Sequence, residues 1–115
     1  MVIADAGWVV NDVLATLPQA GWEVEILDDP ARSAEVVAET SPEAVIIDFQ
    51  VRSMGGMAVV RHLRASIDPE ETPRMVLLLD RDADIFLARR AGADAWVVKP
   101  FPARALREAL EPVTA

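Results

Sequence analysis

Residues 41–57 read SPEAVIIDFQVRSMGGM, and this stretch decides the fold. Ala44, Val45, Ile46 and Ile47 form an unbroken apolar run rich in β-branched side chains, the pattern of a short strand covered on both faces. The run stops at Asp48, so a lone carboxylate caps a buried strand. In open parallel sheets, ligands gather just beyond the carboxyl ends of the strands, which is where Asp48 stands. An acid that merely opens a solvated loop would read the same way on this stretch alone, so the flanking sequence decides.

The flanks repeat the pattern. Residues 1–5 form a short apolar strand that ends in Asp5, residues 75–79 a fully apolar strand followed by Asp80, and residues 95–98 a last strand leading into Lys99 and Pro100. Residues 22–27 set Trp22, Val24 and Ile26 against Glu23 and Glu25, the alternation of a half-exposed edge strand. Val10, Val13, Leu14 and Leu17 predict a first helix that stops near Pro18 and Gly21. Asp29 before Pro30 predicts an N-cap and first turn for a second helix, through Ala34, Val37 and Ala38 to about Thr40. Gly55 and Gly56 mark a turn, and Met57, Val60, Leu63 and Ile67 a third helix. A short fourth helix covers about 83–90 and is stopped by Ala91-Gly92, and Phe101-Pro102 opens a fifth with Ala103, Leu106 and Leu110 on its apolar side. Five strands alternating with five helices predict a doubly wound α/β fold: a parallel sheet in the order 2-1-3-4-5 with helices on both faces.

Length and composition bound the function. At 115 residues the chain is read as a single domain, 1–115, and 52% hydrophobic with 26% charged residues is an ordinary globular mixture. Nineteen acids against eleven bases leave a formal charge of −8, which argues against direct contact with nucleic acid or with an anionic membrane surface. There is no cysteine, which excludes disulfides, thiolate metal sites and a cysteine nucleophile. The one histidine, His62, lies within a helical pattern as a solvated residue, so Ser-His chemistry is not expected. No apolar run is long enough to span a membrane and no signal-peptide pattern opens the chain, so a cytoplasmic location is expected.

In the 2-1-3-4-5 order, strands 1 and 3 flank the switch point, which brings Asp5 and Asp48 together, and Lys99 arrives from strand 5. Two neighbouring carboxylates repel unless a cation sits nearby or a pKa rises. Hard oxygen ligands beside an ammonium suit magnesium and a phosphoryl group.

Asp48, Gly56 eight residues on, the AGAD of residues 91–94 and the Val98-Lys99-Pro100-Phe101 run together resemble the receiver (CheY-like) family of two-component response regulators, over the whole chain. The resemblance implies that Asp48 is the phosphoacceptor, charged by a histidine kinase, a phosphotransfer protein or a small phosphodonor. It also implies that Asp5 and Asp48 ligate Mg2+ with the Gln50 backbone carbonyl, and that Lys99 contacts the phosphoryl oxygens. Trp96, three residues before Lys99, takes the place of the family's aromatic rotamer switch. A homodimer through the fourth helix, fifth strand and fifth helix is a further expectation of the resemblance. So is the absence of enzymatic turnover beyond self-phosphorylation and dephosphorylation at Asp48.

The departures from the family pattern matter equally. Ala4 replaces the first acid of the pair, so magnesium is expected to bind weakly. Arg52 stands where proline is usual, and Gly55 where an acid precedes the glycine. The hydroxyl residue that ends strand 4 is missing; Leu79 or Asp80 takes its place, with Leu79 favoured because it requires less shortening of the segment between strand 4 and Gly92. Neither donates a neutral hydroxyl hydrogen bond, so conformational switching is expected to be weakened. The alternative is a pseudo-receiver, a phosphorylation-independent interaction or dimerisation module. An aspartyl phosphatase would need an acid at position 50, where the chain has Gln50, and a flavin site would need a hydroxyl-rich loop where the chain has Ala6-Gly7-Trp8. Trp8 and Phe86 fall off the apolar faces of their helices and read as loosely packed aromatics.

Overall fold

The structure, a computed structural model, describes residues 1–18, 21–51 and 54–111. Five parallel strands pair in the predicted order: β1 (Val2–Ile3), β2 (Ile26–Leu27), β3 (Ala44–Asp48), β4 (Arg74–Leu79) and β5 (Ala95–Val98), arranged β2-β1-β3-β4-β5. Between them run α1 (Gly7–Thr16), α2 (Ser33–Thr40), α3 (Gly56–Ser66) and α4 (Ile85–Ala91), and α5 (Ala103–Leu110) follows β5.

Alternation along the central strands divides the core into two layers. Val45 and Ile47 of β3 and Met75, Leu77 and Leu79 of β4 pack with Val37, Val59, Val60, Leu63, Ala88 and Ala91, the inward residues of α2, α3 and α4. Ala44 and Ile46 with Val76, Leu78 and Val97 pack instead with Val9, Val13, Leu106 and Leu110 of α1 and α5. Because β3 and β4 are covered on both sides, their apolar runs have no polar phase. Each buried Leu or Ile there contributes about 1.5–3 kcal/mol of transfer free energy.

Local signals explain the boundaries. Asp29 Oδ1 accepts the Ala31 amide at 3.1 Å and Pro30 opens a single 3-10 turn, Pro30–Arg32, which feeds α2. Gly92 closes α4 at φ 92°, a left-handed backbone that glycine adopts without strain. With the 3-10 turn Asp82–Asp84 in front of it, α4 is the short helix that the spacing between Asp80 and Gly92 requires.

Four details differ from the sequence expectation. Strand pairing in β1 and β2 covers two residues each, not five or six. In β2 it is Leu27 that enters the core while Ile26 stays 41% exposed, because an edge strand is covered on one side only. The inward stripe of α1 is Val9, Val13, Thr16 and Leu17, so Leu14 lies outside it. After β3 the chain forms a small antiparallel ribbon, Gln50–Val51 against Met54–Gly55, where the glycine pair predicts only a turn. Arg52 falls outside the described residues.

The AGAD signature acts as a pin. Asp94 Oδ2 accepts the amide of buried Met75 at 2.8 Å, its Oδ1 takes Arg64 Nη2 of α3 at 3.1 Å, and Arg64 also donates to the Gly92 carbonyl at 2.8 and 3.1 Å. Asp94 and Arg64 together thereby tie the start of β4 and the end of α4 to α3.

Candidate functional site

The site assembles at the carboxyl ends of β3, β4 and β5. Asp48 pairs with Leu78 in the β3–β4 ladder, and Leu79 pairs with Val98 in the β4–β5 ladder. The Lys99 amide donates to the Leu79 carbonyl at 2.8 Å, carrying that ladder one residue past the strand and setting Lys99 beside Asp80. The Lys99-Pro100 peptide is cis.

The Lys99 ammonium reaches across the strand ends to two carboxylates. It donates a short hydrogen bond to Asp48 Oδ1 and a second, at 3.0 Å, to Asp80 Oδ1. The Asp48 and Lys99 side chains are only 4% and 9% exposed, whereas Asp80 is 46% exposed. Burial raises the Asp48 carboxyl above its ordinary range; the hydrogen bond and charge of Lys99 and the Phe49 amide act against that rise, and the nearby Asp80 charge adds to it. A buried nucleophilic carboxylate held by one ammonium is chemically suited to attack an electrophile whose developing negative charge the same ammonium then meets.

Of the two candidates for the missing hydroxyl, Leu79 lies fully buried in the α2/α3/α4 layer, and Asp80 carries the side chain that meets Lys99. Trp96 is half-buried on that same layer, with the Arg89 guanidinium 5.3 Å from its ring centroid.

Asp5 and Gln50 fall near the same edge. Ile3 pairs with Ile47, so the register continued by one residue sets buried Ala4 opposite Asp48, with Asp5 just beyond in the exposed loop. Gln50 begins the ribbon two residues past Asp48. Among the described residues no three acidic, histidine or cysteine side chains gather into a metal cluster. The carboxylates of Asp5 and Asp48 and the Gln50 main-chain carbonyl are oxygen donors, the ligand type magnesium prefers.

Gly56 backs the site from below. A Cβ there would lie 2.4 Å from the Asp48 carbonyl oxygen and 3.0 Å from Leu77 Cδ2, so only glycine lets α3 approach the end of β3 this closely. Sequence reasoning does not assign Trp8 to the site, yet its ring centroid lies 5.2 Å from Lys99 Nζ. The available signal is an aromatic off the apolar face of α1, three residues past Asp5.

Comparison with known proteins agrees with this fold. Residues 1–111 match the response regulator receiver domain family, and the chain belongs to it, which places it in two-component signalling. Over 96 residues the chain is 35% identical to the transcriptional regulatory protein PrrA of Mycobacterium leprae (strain TN), covering 79% of this chain and 40% of that protein. It spans less than half the length of the curated relatives it matches. Its fold superposes on the chemotaxis protein CheY4 of Vibrio cholerae with a TM-score of 0.80 and 25% identity, covering 95% and 92% of the two chains. It also superposes, at a TM-score of 0.81 and 20% identity over 95% and 90%, on the receiver domain of the sensor histidine kinase PA1611 of Pseudomonas aeruginosa PAO1, whose active-site cleft coordinates a magnesium ion. Among the described residues no helix is long and apolar enough to cross a membrane.

Proposed function

We propose that Asp48 is the phosphoacceptor of a cytoplasmic receiver domain spanning residues 1–115, charged by a histidine kinase, a phosphotransfer protein or a small phosphodonor. The observation that carries this reading is the buried Asp48 carboxylate bonded to the Lys99 ammonium at the carboxyl edge of a doubly wound sheet. A carboxylate oxygen of Asp48 bonds to phosphorus, the bond from phosphorus to the donor breaks, and its electron pair leaves with the donor group. Lys99 meets the charge on the transferred oxygens. Asp5, Asp48 and the Gln50 carbonyl would hold Mg2+, which when bound neutralises phosphoryl charge; with Ala4 in place of a second acid, binding is weak. No turnover chemistry beyond Asp48's own phosphorylation and dephosphorylation is assigned.

Switching is weakened in this reading because Asp80 takes the hydroxyl position. An ionised carboxylate offers a phosphoryl group no hydrogen to accept and repels it, so the phosphorylated state gains little preference for a rearranged β4–α4 loop. Trp96 is the aromatic that would follow such a rearrangement. Partners meet the domain through α4, β5 and α5, a homodimer among them, and the −8 charge leaves any DNA contact to another module.

Intact mass after incubation with acetyl phosphate and magnesium tests the proposal. One added phosphoryl group, lost in Asp48→Asn, is the expected result; labelling that survives Asp48→Asn overturns the assignment. A pseudo-receiver is the second reading, favoured by the Asp80 carboxylate that already occupies Lys99. Absence of label from acetyl phosphate and from a phosphorylated histidine donor alike would favour it.

A further inference from the structure

Trp8 sits in the first turn of α1 and is 58% exposed, so burial alone does not account for where its indole lies. The ring centroid is 5.2 Å from Lys99 Nζ, inside the range in which an ammonium is attracted to the negative face of an aromatic ring. Asp48 and Asp80 take two hydrogen bonds from the same ammonium, and the indole is a further neighbour. An ammonium at a sheet edge, on a flexible four-carbon stem, would ordinarily be well hydrated. The Lys99 side chain as a whole is only 9% exposed, although one of its two carboxylate partners, Asp80, is itself 46% exposed, and the Trp8 ring is a further group over its ammonium.

We infer that Trp8 is a positioning residue of the Asp48 site: its indole face roofs the Lys99 ammonium, holds it against Asp48 and keeps water from the phosphoryl seat. The inference rests on the phosphoacceptor reading for its functional consequence, and on the Trp8–Lys99 contact alone for its physical basis. Hydrolysis of phosphorylated Asp48 requires a water oxygen to bond to phosphorus. The bond from phosphorus to the Asp48 oxygen breaks with its electron pair returning to the carboxylate, and orthophosphate leaves with the water's protons shared between it and solvent. A roof over Lys99 limits the approach of that water and fixes the cation that holds the phosphoryl oxygens. Trp8 therefore lengthens the life of the phosphorylated state.

The test compares Trp8→Phe, Trp8→Leu and Trp8→Ala after labelling with acetyl phosphate and magnesium, following the decay of the phosphorylated species by intact mass. Phenylalanine keeps the charged-face interaction and should hold the wild-type half-life within about 2-fold, whereas leucine and alanine should shorten it roughly 3- to 10-fold. Leucine behaving as phenylalanine, or alanine leaving the half-life unchanged, overturns the inference. A second arm needs no phosphorylation. In a Trp22→Phe, Trp96→Phe background, Lys99→Met should shift the emission of Trp8 while Arg104→Ala, at an exposed position of α5, should not. An unchanged Trp8 emission in Lys99→Met also overturns it. Failure of every variant to label would count against the phosphoacceptor reading, and the emission arm would then decide the Trp8–Lys99 contact by itself.

Discussion

The Asp80 carboxylate lies 3.0 Å from the Lys99 ammonium, so the cation that serves Asp48 is shared between two acids on neighbouring strands. Any anion arriving at Asp48 must either displace Asp80 from Lys99 or accept its repulsion. Removing that charge should open the seat. Asp80→Thr, which also supplies a hydroxyl donor, is expected to label with acetyl phosphate about 10-fold faster than wild type, equivalent to a charge-assisted contact worth about 1.5 kcal/mol. Asp80→Asn should fall between them. Equal labelling rates across the three proteins would show that Asp80 does not compete for Lys99.

Gly56 is predicted to be the least replaceable glycine among the described residues. Alanine there places a methyl group against the Asp48 carbonyl at 2.4 Å, and the strain of moving α3 away should cost about 1–3 kcal/mol. Gly55→Ala, whose new Cβ would stand 4.0 Å from the nearest atom, the Phe49 carbonyl oxygen, is expected to be close to neutral. Urea denaturation of the two variants measures the contrast.

For the Asp94 pin, the buried Met75 amide matters more than the exposed guanidinium. Asp94→Ala leaves that amide without its carboxylate acceptor and should destabilise the domain by about 1–3 kcal/mol. Arg64→Ala removes partly exposed bonds, worth about 1 kcal/mol or less. Because the two side chains share a contact, the double variant should cost less than the sum of the singles, which a double-mutant cycle in urea would read directly.

Magnesium titration should produce a saturable change in Trp8 emission, since Trp8 stands over Lys99 beside the proposed ligands Asp5, Asp48 and Gln50. Asp5→Asn is expected to abolish that saturation. An unaltered curve in the variant would place the ion elsewhere on this acidic chain.

The five strands, their order and the acids and lysine at their ends are legible in the sequence because apolar runs and turn residues carry that information locally. The phase of β4 is not. Leu77, Leu78 and Leu79 are buried on one face or the other, so nothing in the run indicates which residue shares a side with Asp48; only the pairing of Leu79 with Val98 sets Asp80 beside Lys99. The ribbon after β3 is hidden for a related reason, since two residues on each side are too few to show a period. Trp8 reads by its helix alone, where it is off the apolar stripe, and its partner is 91 residues away beyond the carboxyl end of β5.

The strap from Arg64 to the Gly92 carbonyl leaves α4 fastened unequally. Its last turn is held by two guanidinium bonds and by Gly92's left-handed closure, whereas its first turn rests on a 3-10 segment, whose hydrogen-bond geometry is poorer. If this helix is displaced, the expected pivot is the strapped end at Gly92, so that a hinge substitution there should disturb the α3 side, while among the described residues the Asp80 side has the Arg81–Asp84 pair as its polar tie.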